Sequence, residues 1–552
     1  MNTKKGLIVL LIFFALFILL AARMFHLQVD EGKKLSRAAS AQRITNVVIE
    51  KTRGDILDRN GIPFTNRSGK YRLVLKPPVL IEDRNALKKV SDILGIGFQK
   101  LEEELEKEEK PIVVEVDEGI KNMIKNIESP GISIINSLYR YDDNSVAKHV
   151  LGYVSKADGS GEAGIEKSYN KTLSCDGCYM LGIVTDGRNN IVPGMGYRLI
   201  NTGGKNKKLN VKLTIDYHIQ KIVEDVMDRN NITGAIVVEE VNSGDITAMA
   251  SKPDFNQDKV IQYLNSPDNE LFNKAVASYN LGSIFKIIDA AVMFELKDKW
   301  EEEYLCTGSI RVGDREFKCY SYKDGGHGFV DLKKAFSLSC NTYFINAALG
   351  IEPESLIEMA DRFGLGSYTG IGSQGVDESP GNLPSIDAWF SGGDIANISI
   401  GQGEIMATPL QVADLVATIA NGGIKNKINI VDSIVDECGN KVKNIRQKYG
   451  KRIISKDVAD KIKNLMESVI TEGTGAMINL EEYGGAAGKT GSAETGQYKE
   501  GESIVHAWFA GYFPKKNPKY SIAVLIENGK VGGKTAGPIF QEIAGEIMKK
   551  GF

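Results

Sequence analysis

The apolar positions change rhythm along this chain, and each rhythm predicts a different kind of element. Gly6 to Ala22 is an unbroken apolar run between Lys4, Lys5 and Arg23, about 17 residues long and at the short end of what crosses a hydrocarbon core. From Arg23 to about Lys110 the chain turns polar and charge-rich, with a strand expected at Tyr71 to Leu75 and an exposed helix over Lys100 to Lys110. Asn201 to Lys208 (NTGGKNKK) has no apolar period and reads as a linker. Beyond it, Leu213 to Met227 reads as a short strand running into a helix. Ala235 to Glu239 and Asp245 to Ala250 read as strands joined at Asn242-Ser243-Gly244. An apolar helical stretch covers Ser283 to Leu296. Near the end, Trp508 to Phe513 and Tyr520 to Glu527 are strand-like around the turn Pro514 to Pro518, and Gly537 to Lys549 is helical. Strands at both ends with helices between them predict an α+β domain, an antiparallel sheet covered by helices. The expected division is a cytoplasmic tail (1–5), a transmembrane anchor (6–23), a pedestal (24–208) and a large carboxy-terminal domain (209–552).

Length agrees, because 552 residues exceed what one hydrophobic core holds. Charged residues are 25% of the chain and the net charge is -3, which argues against a nucleic-acid binder. The amino-terminal run is read as a retained anchor, not a cleaved signal, because Arg-Met-Phe-His after Ala22 lacks a small-x-small cleavage site. With Lys4 and Lys5 on the short side, the positive-inside rule places residues from about 24 onward outside the cytoplasm. Six cysteines are too sparse for a disulfide scaffold in a chain this size.

The candidate chemistry begins with Ser283 and Lys286, three apart and on one helical face. A serine hydroxyl needs an adjacent base, and an amine serves when desolvation and neighbouring cations lower its pKa. Ser-x-x-Lys alone is weak, since Ser168-Tyr-Asn-Lys171 matches it too. Company strengthens the first pair: Ser339-Cys340-Asn341 follows 56 residues after Ser283, and Lys489-Thr490-Gly491-Ser492 begins 150 residues after Ser339. Ser-x-Asn also recurs as Ser278-Tyr-Asn280, whereas Lys-Thr-Gly occurs once. Small residues, hydroxyls and a cation on one strand suit the grip of a peptide carboxylate.

These three elements in this order resemble the serine penicillin-recognising superfamily. The flanks are similar to class B penicillin-binding proteins: Arg53-Gly-Asp-Ile-Leu-Asp-Arg59-Asn-Gly61, Gly164-Ile-Glu166-Lys-Ser-Tyr169, Thr214-Ile-Asp216 with Gln220, Ser399-Ile-Gly-Gln-Gly403, Thr408-Pro-Leu-Gln411 and His506-Ala-Trp-Phe-Ala-Gly511. The resemblance covers almost the whole chain and implies a penicillin-binding transpeptidase domain on a dimerisation-like pedestal. It implies a peptidoglycan D,D-transpeptidase in which Ser283 attacks D-alanyl-D-alanine after giving its proton to Lys286. Ser339 and Asn341 position Lys286 and relay protons, and Lys489 adds positive potential. Thr490 and Ser492 hold the carboxylate, the N–H groups of Ser283 and Ser492 form the oxyanion hole, and Gly491 belongs to the same substrate-binding set. An amine of a neighbouring stem peptide resolves the acyl-enzyme, and β-lactams acylate the same serine. The resemblance also makes Ser168 and Lys171 part of a structural motif. It leaves division, elongation and sporulation roles open.

The chain departs from the family in having Leu281-Gly282-Ser283-Ile284 where Pro-Gly commonly precedes the nucleophile and Thr follows it. Loss of that proline frees one backbone dihedral and predicts a more mobile nucleophile turn. No cofactor is required, yet Cys306, Cys319 and His327 are ligand types that zinc prefers, with Cys340 or a nearby Asp as fourth ligand. Free buried thiols and a Cys306 to Cys319 disulfide are the other readings. Cys175-Asp-Gly-Cys178 is a small disulfide loop or two thiols, and Cys438 has no proposed partner. A D,D-carboxypeptidase shares every active-site motif, and the class B flanks weigh against it. A β-lactamase has no use for a pedestal, and the five residues before the apolar run are too few for a sensor's output. With no glycan-polymerising motif before Asn201, a membrane glycosyltransferase is the expected partner.

Overall fold

The computed structural model of the chain describes residues 3–32, 35, 44–108, 111–142, 144–184, 197–201, 208–296, 303–499 and 501–552. An α-helix runs from Thr3 to Phe25 and continues as a π-helical turn, His26–Asp30. Its apolar stretch Gly6–Val29 is 24 residues, about 36 Å of helix, and none of it is buried, so it could span a membrane by length and composition. The stretch outlasts the predicted 6–23 because Arg23 and His26 interrupt the apolar run without breaking the helix.

The described chain forms two compact units: Met1–Arg53, Ser68–Tyr139 and Cys175–Lys207 in one, and Gly54–Arg67, Arg140–Ser174 and Lys208–Phe552 in the other. In the smaller unit the strand Ser68–Leu75 lies between Ile112–Val116 and Ile132–Tyr139, antiparallel to both. Helix Arg84–Leu94 starts where the Asp83 carboxylate accepts the Ala86 N–H at 3.1 Å and ends at Gly95 in the left-handed region. The helix expected over Lys100 to Lys110 is Phe98–Lys107, and it is amphipathic, not merely exposed. Leu101 and Leu105, one turn apart, bury against Leu73, Leu87 and Val90. Cys178 and most of the Asn201 to Lys208 linker lie outside the described residues and side chains.

Two stretches from within the expected pedestal span belong to the larger unit. Polar anchoring explains why. Asp58 closes its own turn by accepting the Asn60 and Ile62 N–H groups at 2.7 Å and also accepts the Tyr217 N–H at 3.1 Å. Asn60 donates to Asp216 at 2.9 Å, and Asp216 in turn caps helix Tyr217–Arg229 through the His218 and Ile219 N–H groups. Glu166, fully buried, accepts from Arg140 Nε at 2.8 Å and the Tyr141 hydroxyl at 3.0 Å. The Arg-Gly-Asp and Gly-Ile-Glu motifs are thus structural keys of this unit.

The larger unit is built on a five-stranded antiparallel sheet in the order Asp245–Lys252, Gly234–Glu240, Tyr520–Ile526, Glu502–Phe513, Ala487–Lys499. Alternate residues point to opposite faces, and both faces are buried. Ala235, Val237, Trp508, Ala510, Ala523 and Leu525 enter one core, and Ile236, Val238, Phe509, Ile522 and Val524 enter the other. Helices Tyr217–Arg229 and Gly532–Lys549 cover the second face. Helix Pro409–Ala420 packs on the first, and the Thr-Pro-Leu-Gln motif forms its start. Thr408 and Gln411 exchange backbone and side-chain hydrogen bonds in a capping box with proline in the first turn, and the Gln411 amide also donates to Ser367 and Pro380 carbonyls at 2.8 Å. The carboxy-terminal helix begins at Gly532, five residues before the predicted Gly537, and holds Pro538 in its second turn.

Removing the buried carboxylate should leave the Arg140 guanidinium uncompensated. Glu166→Ala is expected to cost about 3–5 kcal/mol, read as a lower midpoint of urea unfolding followed by the fluorescence of Trp508, which is fully buried in this unit.

Candidate active site

The nucleophile turn is fixed by backbone, not by proline. Leu281 sits at φ -82°, near proline's range, and its side chain is fully buried. Gly282 adopts φ +53°, and its N–H donates to Gly401 O at 2.8 Å. A Cβ on Gly282 would meet Ser492 O at 2.4 Å, and one on Gly401 would meet Gly282 O at 2.0 Å, so both positions need glycine for close approach. The Ser-Ile-Gly-Gln-Gly motif is therefore the bracket under the turn. Asn280 ties the same turn to the sheet: its carbonyl accepts from Trp508 Nε1 at 3.0 Å, and its amide donates to Gly403 O at 2.9 Å. The expected helix over Ser283 to Leu296 divides into a 3-10 turn, Gly282–Ile284, and an α-helix, Lys286–Leu296. The left-handed glycine starts the tight turn, which leaves Ser283 half-exposed and sends Lys286 into the core.

Lys286 Nζ lies 3.0 Å from Ser283 Oγ, 2.9 Å from Ser339 O and 2.7 Å from Asn341 Oδ1, with Ser339 Oγ at 3.3 Å. Lys489 Nζ donates to the same Ser339 Oγ at 2.9 Å and to Thr490 O at 3.1 Å. Ser339 is held at φ +55°, a strained conformation for a residue with a side chain, and it presents both its carbonyl and its hydroxyl to the lysines. Both ammonium groups are fully buried, and among the described residues neither has a carboxylate within ion-pair distance. Through the shared hydroxyl they stand no more than about 6 Å apart, where two charges repel by about 3 kcal/mol at an effective dielectric near 20. Burial pulls the Lys286 amine down to about 8, against the opposite pull of Cys319, Cys340 and Asp289. Burial, and then the charge of Lys286, holds Lys489 well below the usual lysine range. The two amines therefore titrate as a coupled pair, burial and mutual repulsion favouring loss of a proton.

Lys489 to Ser492 lie on the sheet's edge strand, Ala487–Lys499, with Gly491 opposite Trp508 and Ser492 opposite Ala507. A Cβ on Gly491 would meet Ile284 Cγ1 at 2.9 Å and Leu281 O at 3.0 Å, so this glycine lets the strand pass against the nucleophile turn. Ser492 Oγ accepts the Gly532 N–H at 3.2 Å. The three motifs, far apart in sequence, converge here. The decoys do not: Ser168 and Lys171 are exposed on separate short helices, and Ser278 Oγ contacts Ser379 Oγ at 2.5 Å.

A second cluster lies beside Asn341. The ligand atoms of Cys306, Cys319, His327 and Cys340 all fall within 4.8 Å of one another. His327 Nδ1 is 3.5 Å from both Cys306 Sγ and Cys319 Sγ. The Cys306, Cys319 and Cys340 thiols are unbridged, so the Cys306 to Cys319 disulfide is not formed. A hydrogen bond from Cys340, with the His327 ring nearby, draws the Cys319 thiol down, while the same partnership and burial push Cys340 up. Cys319 Sγ also accepts the Asn341 N–H at 3.4 Å. The fourth candidate ligand is thus Cys340, the central residue of the Ser-x-Asn motif.

A family model described as the penicillin binding protein transpeptidase domain matches residues 234–548, more than half of the chain, and a penicillin-binding protein dimerisation domain model matches 48–177. The chain belongs to the penicillin-binding proteins. Stage V sporulation protein D of Bacillus subtilis is 28% identical over 99% of this chain and 85% of its own. The peptidoglycan D,D-transpeptidase MrdA of Acinetobacter baumannii is 26% identical over 94% of this chain and 84% of its own. A solved penicillin-binding protein 2 of Helicobacter pylori, in complex with MreC, matches with a TM-score of 0.68 at 24% identity over 92% of this chain and 99% of that one. A peptidoglycan synthetase of Bifidobacterium adolescentis matches with a TM-score of 0.63 at 23% identity over 92% of this chain and 97% of that one. These two likenesses show the fold.

The sequence pattern showed the three motifs that converge here but missed their glycine supports. Nothing in the local pattern pairs Gly282 with Gly401 across 119 residues. It also missed Thr474, whose one signal is a threonine set between Gly473 and Gly475. Gly282→Ala should force the nucleophile turn off the edge strand. Labelling by a fluorescent penicillin is expected to slow at least tenfold while the far-ultraviolet circular dichroism stays as in the parent chain.

Proposed function

We propose that this penicillin-binding protein is a membrane-anchored peptidoglycan D,D-transpeptidase that works through an acyl-enzyme on Ser283. The observation that carries the reading is the buried Lys286 amine, 3.0 Å from Ser283 Oγ and held by Ser339 and Asn341. In its neutral form, which burial favours, Lys286 accepts the Ser283 proton. Ser283 Oγ then bonds to the carbonyl carbon of the penultimate D-alanine. The Ser283 and Ser492 N–H groups receive the oxyanion, in keeping with their approach across Gly282. As the C–N bond breaks, the proton passes from Lys286 by way of the Ser339 hydroxyl to the departing amine of the terminal D-alanine. Thr490 and Ser492 hold the substrate carboxylate in the field of Lys489. A stem-peptide amine attacks the ester, returns Ser283 and leaves a cross-link. A β-lactam follows the first half and deacylates slowly. The Gly6–Val29 helix is the anchor, and Lys4 and Lys5 before it favour an extracytoplasmic catalytic unit. Its glycan strands come from a membrane glycosyltransferase partner, and residue 208 marks the last crossing from the smaller unit into the larger.

The Cys306, Cys319, His327 and Cys340 set fits one structural zinc ion. Three soft thiolates and an imidazole are its preferred donors, and tetrahedral bonds of about 2.3 Å put sulfurs about 3.8 Å apart, within the spread seen here. The purified chain should contain about one zinc per molecule by elemental mass spectrometry, falling by more than half in Cys319→Ser. A metal-free parent chain prepared with zinc present would overturn the assignment.

The full-length chain in detergent, incubated with a fluorescent penicillin, should carry a label on Ser283 by peptide mass that persists for hours and is absent from Ser283→Ala. A label elsewhere, or turnover within minutes, would sink the acyl-transferase reading. Because burial lowers Lys286, the base is neutral above its pKa and protonated below it. The acylation rate should therefore rise with pH and level off above about 8.

A further inference from the structure

Two hydroxyls on the edge strand, Thr490 and Ser492, face an anion only if their protons are free to point at it. Each hydroxyl has one proton, so a protein donor must occupy its oxygen instead. For Ser492 that donor is the Gly532 N–H, at 3.2 Å. For Thr490 the partner is Thr474, whose Oγ1 is 2.7 Å away. Thr474 follows the helix Lys456–Glu472, outside all three motifs. Its N–H donates to Ser337 O at 3.0 Å, two residues before Ser339, and its hydroxyl lies 3.4 Å from the same carbonyl. The carbonyl is already satisfied and the hydroxyl contact to it is long, so the Thr474 proton is better placed on Thr490.

The position is tightly built. A Cβ on Gly473 would meet Ser337 O at 2.3 Å, and one on Gly533 would meet Thr474 O at 2.4 Å, so two glycines let the Thr474 turn close onto its neighbours. The turn thus joins the stretch that carries Ser339 to the strand that carries Thr490.

We infer that Thr474 is a positioning residue for carboxylate recognition: it donates its hydroxyl proton to Thr490 Oγ1, and the Thr490 proton is thereby directed to the carboxylate of the bound peptide or β-lactam. The inference rests on the acyl-transferase reading above. A hydroxyl that accepts one hydrogen bond while donating another to a charged acceptor is polarised, so the two bonds strengthen each other. The contribution is to binding of the carboxylate and not to the bond-making step, since Thr474 touches none of the reacting atoms.

The test follows acylation of the full-length chain in detergent over a concentration series of a fluorescent penicillin and of the same compound as its carboxylate methyl ester. Thr474→Val should weaken the non-covalent step for the free acid about five- to tenfold, the size of one neutral hydrogen bond, and leave the limiting acylation rate unchanged. The ester should show no such difference, and Thr474→Ser should restore the parent behaviour. In a Thr490→Val chain the second change should add nothing. An equal loss for acid and ester, or a fall in the limiting rate, would mean that Thr474 merely supports the fold and would overturn the inference. If Thr474→Val has no melting transition, Thr474→Ala carries the same comparison. A parent chain without label on Ser283 would remove the acyl-transferase reading itself; a labelled parent with an unaltered Thr474→Val removes this inference alone.

Discussion

Two lysine side chains are buried at one serine hydroxyl, with no carboxylate among the described residues within ion-pair distance, and the rest of the catalytic unit is built around them. A buried ammonium without a counter-ion is costly, and two of them repel besides. The unit meets this with oriented neutral acceptors: the Ser339 carbonyl and hydroxyl, the Asn341 amide oxygen and the Thr490 carbonyl. These stabilise positive charge without neutralising it as a carboxylate would, which suits the base role proposed for Lys286. The left-handed backbone at Ser339 follows from the same demand, because one residue must offer both its carbonyl and its hydroxyl to two different lysines.

That polar centre requires a rigid frame. Its parts come from the nucleophile turn, the Ser-x-Asn turn and the edge strand; the first and last meet through close backbone approach at Gly282 and Gly491, and the two lysines bind the Ser-x-Asn turn to both. The sheet behind them is apolar on both faces, so its register is strongly specified, and a one-residue slip would reverse every side chain on the edge strand. Gly491 opposite Trp508 fixes which residues of that strand face the nucleophile. The cysteine and histidine cluster bears on the same centre from the other side, since Cys340 lies between Ser339 and Asn341 and Cys319 accepts the Asn341 N–H.

Local chemistry was legible wherever a residue type has a short-range job. The apolar run at the amino terminus, the strands around the Pro514 to Pro518 turn and the Ser-x-x-Lys, Ser-x-Asn and Lys-Thr-Gly motifs all declare themselves within a few residues. The sequence pattern also placed Cys306, Cys319 and His327 together as soft ligands. It left the fourth ligand between Cys340 and a nearby Asp, because that choice depends on where the Ser-x-Asn turn lands. The missing proline before Gly282 suggested a loose turn, yet burial of Leu281 and the Gly282 to Gly401 hydrogen bond supply the restraint from outside the turn.

Sequence by itself therefore determined the family, the three motifs that line the candidate site and several strands of the sheet, because these rest on residue identity and short spacing. Tertiary structure alone decided that Gly54–Arg67 and Arg140–Ser174 join the catalytic unit, that Gly401 braces Gly282, and that Thr474 reaches Thr490. Those pairings join residues from 16 to more than 100 positions apart through single hydrogen bonds or backbone contacts, which leave no periodic trace in the chain. They are fixed only when the two cores close on the sheet and bring the segments within reach.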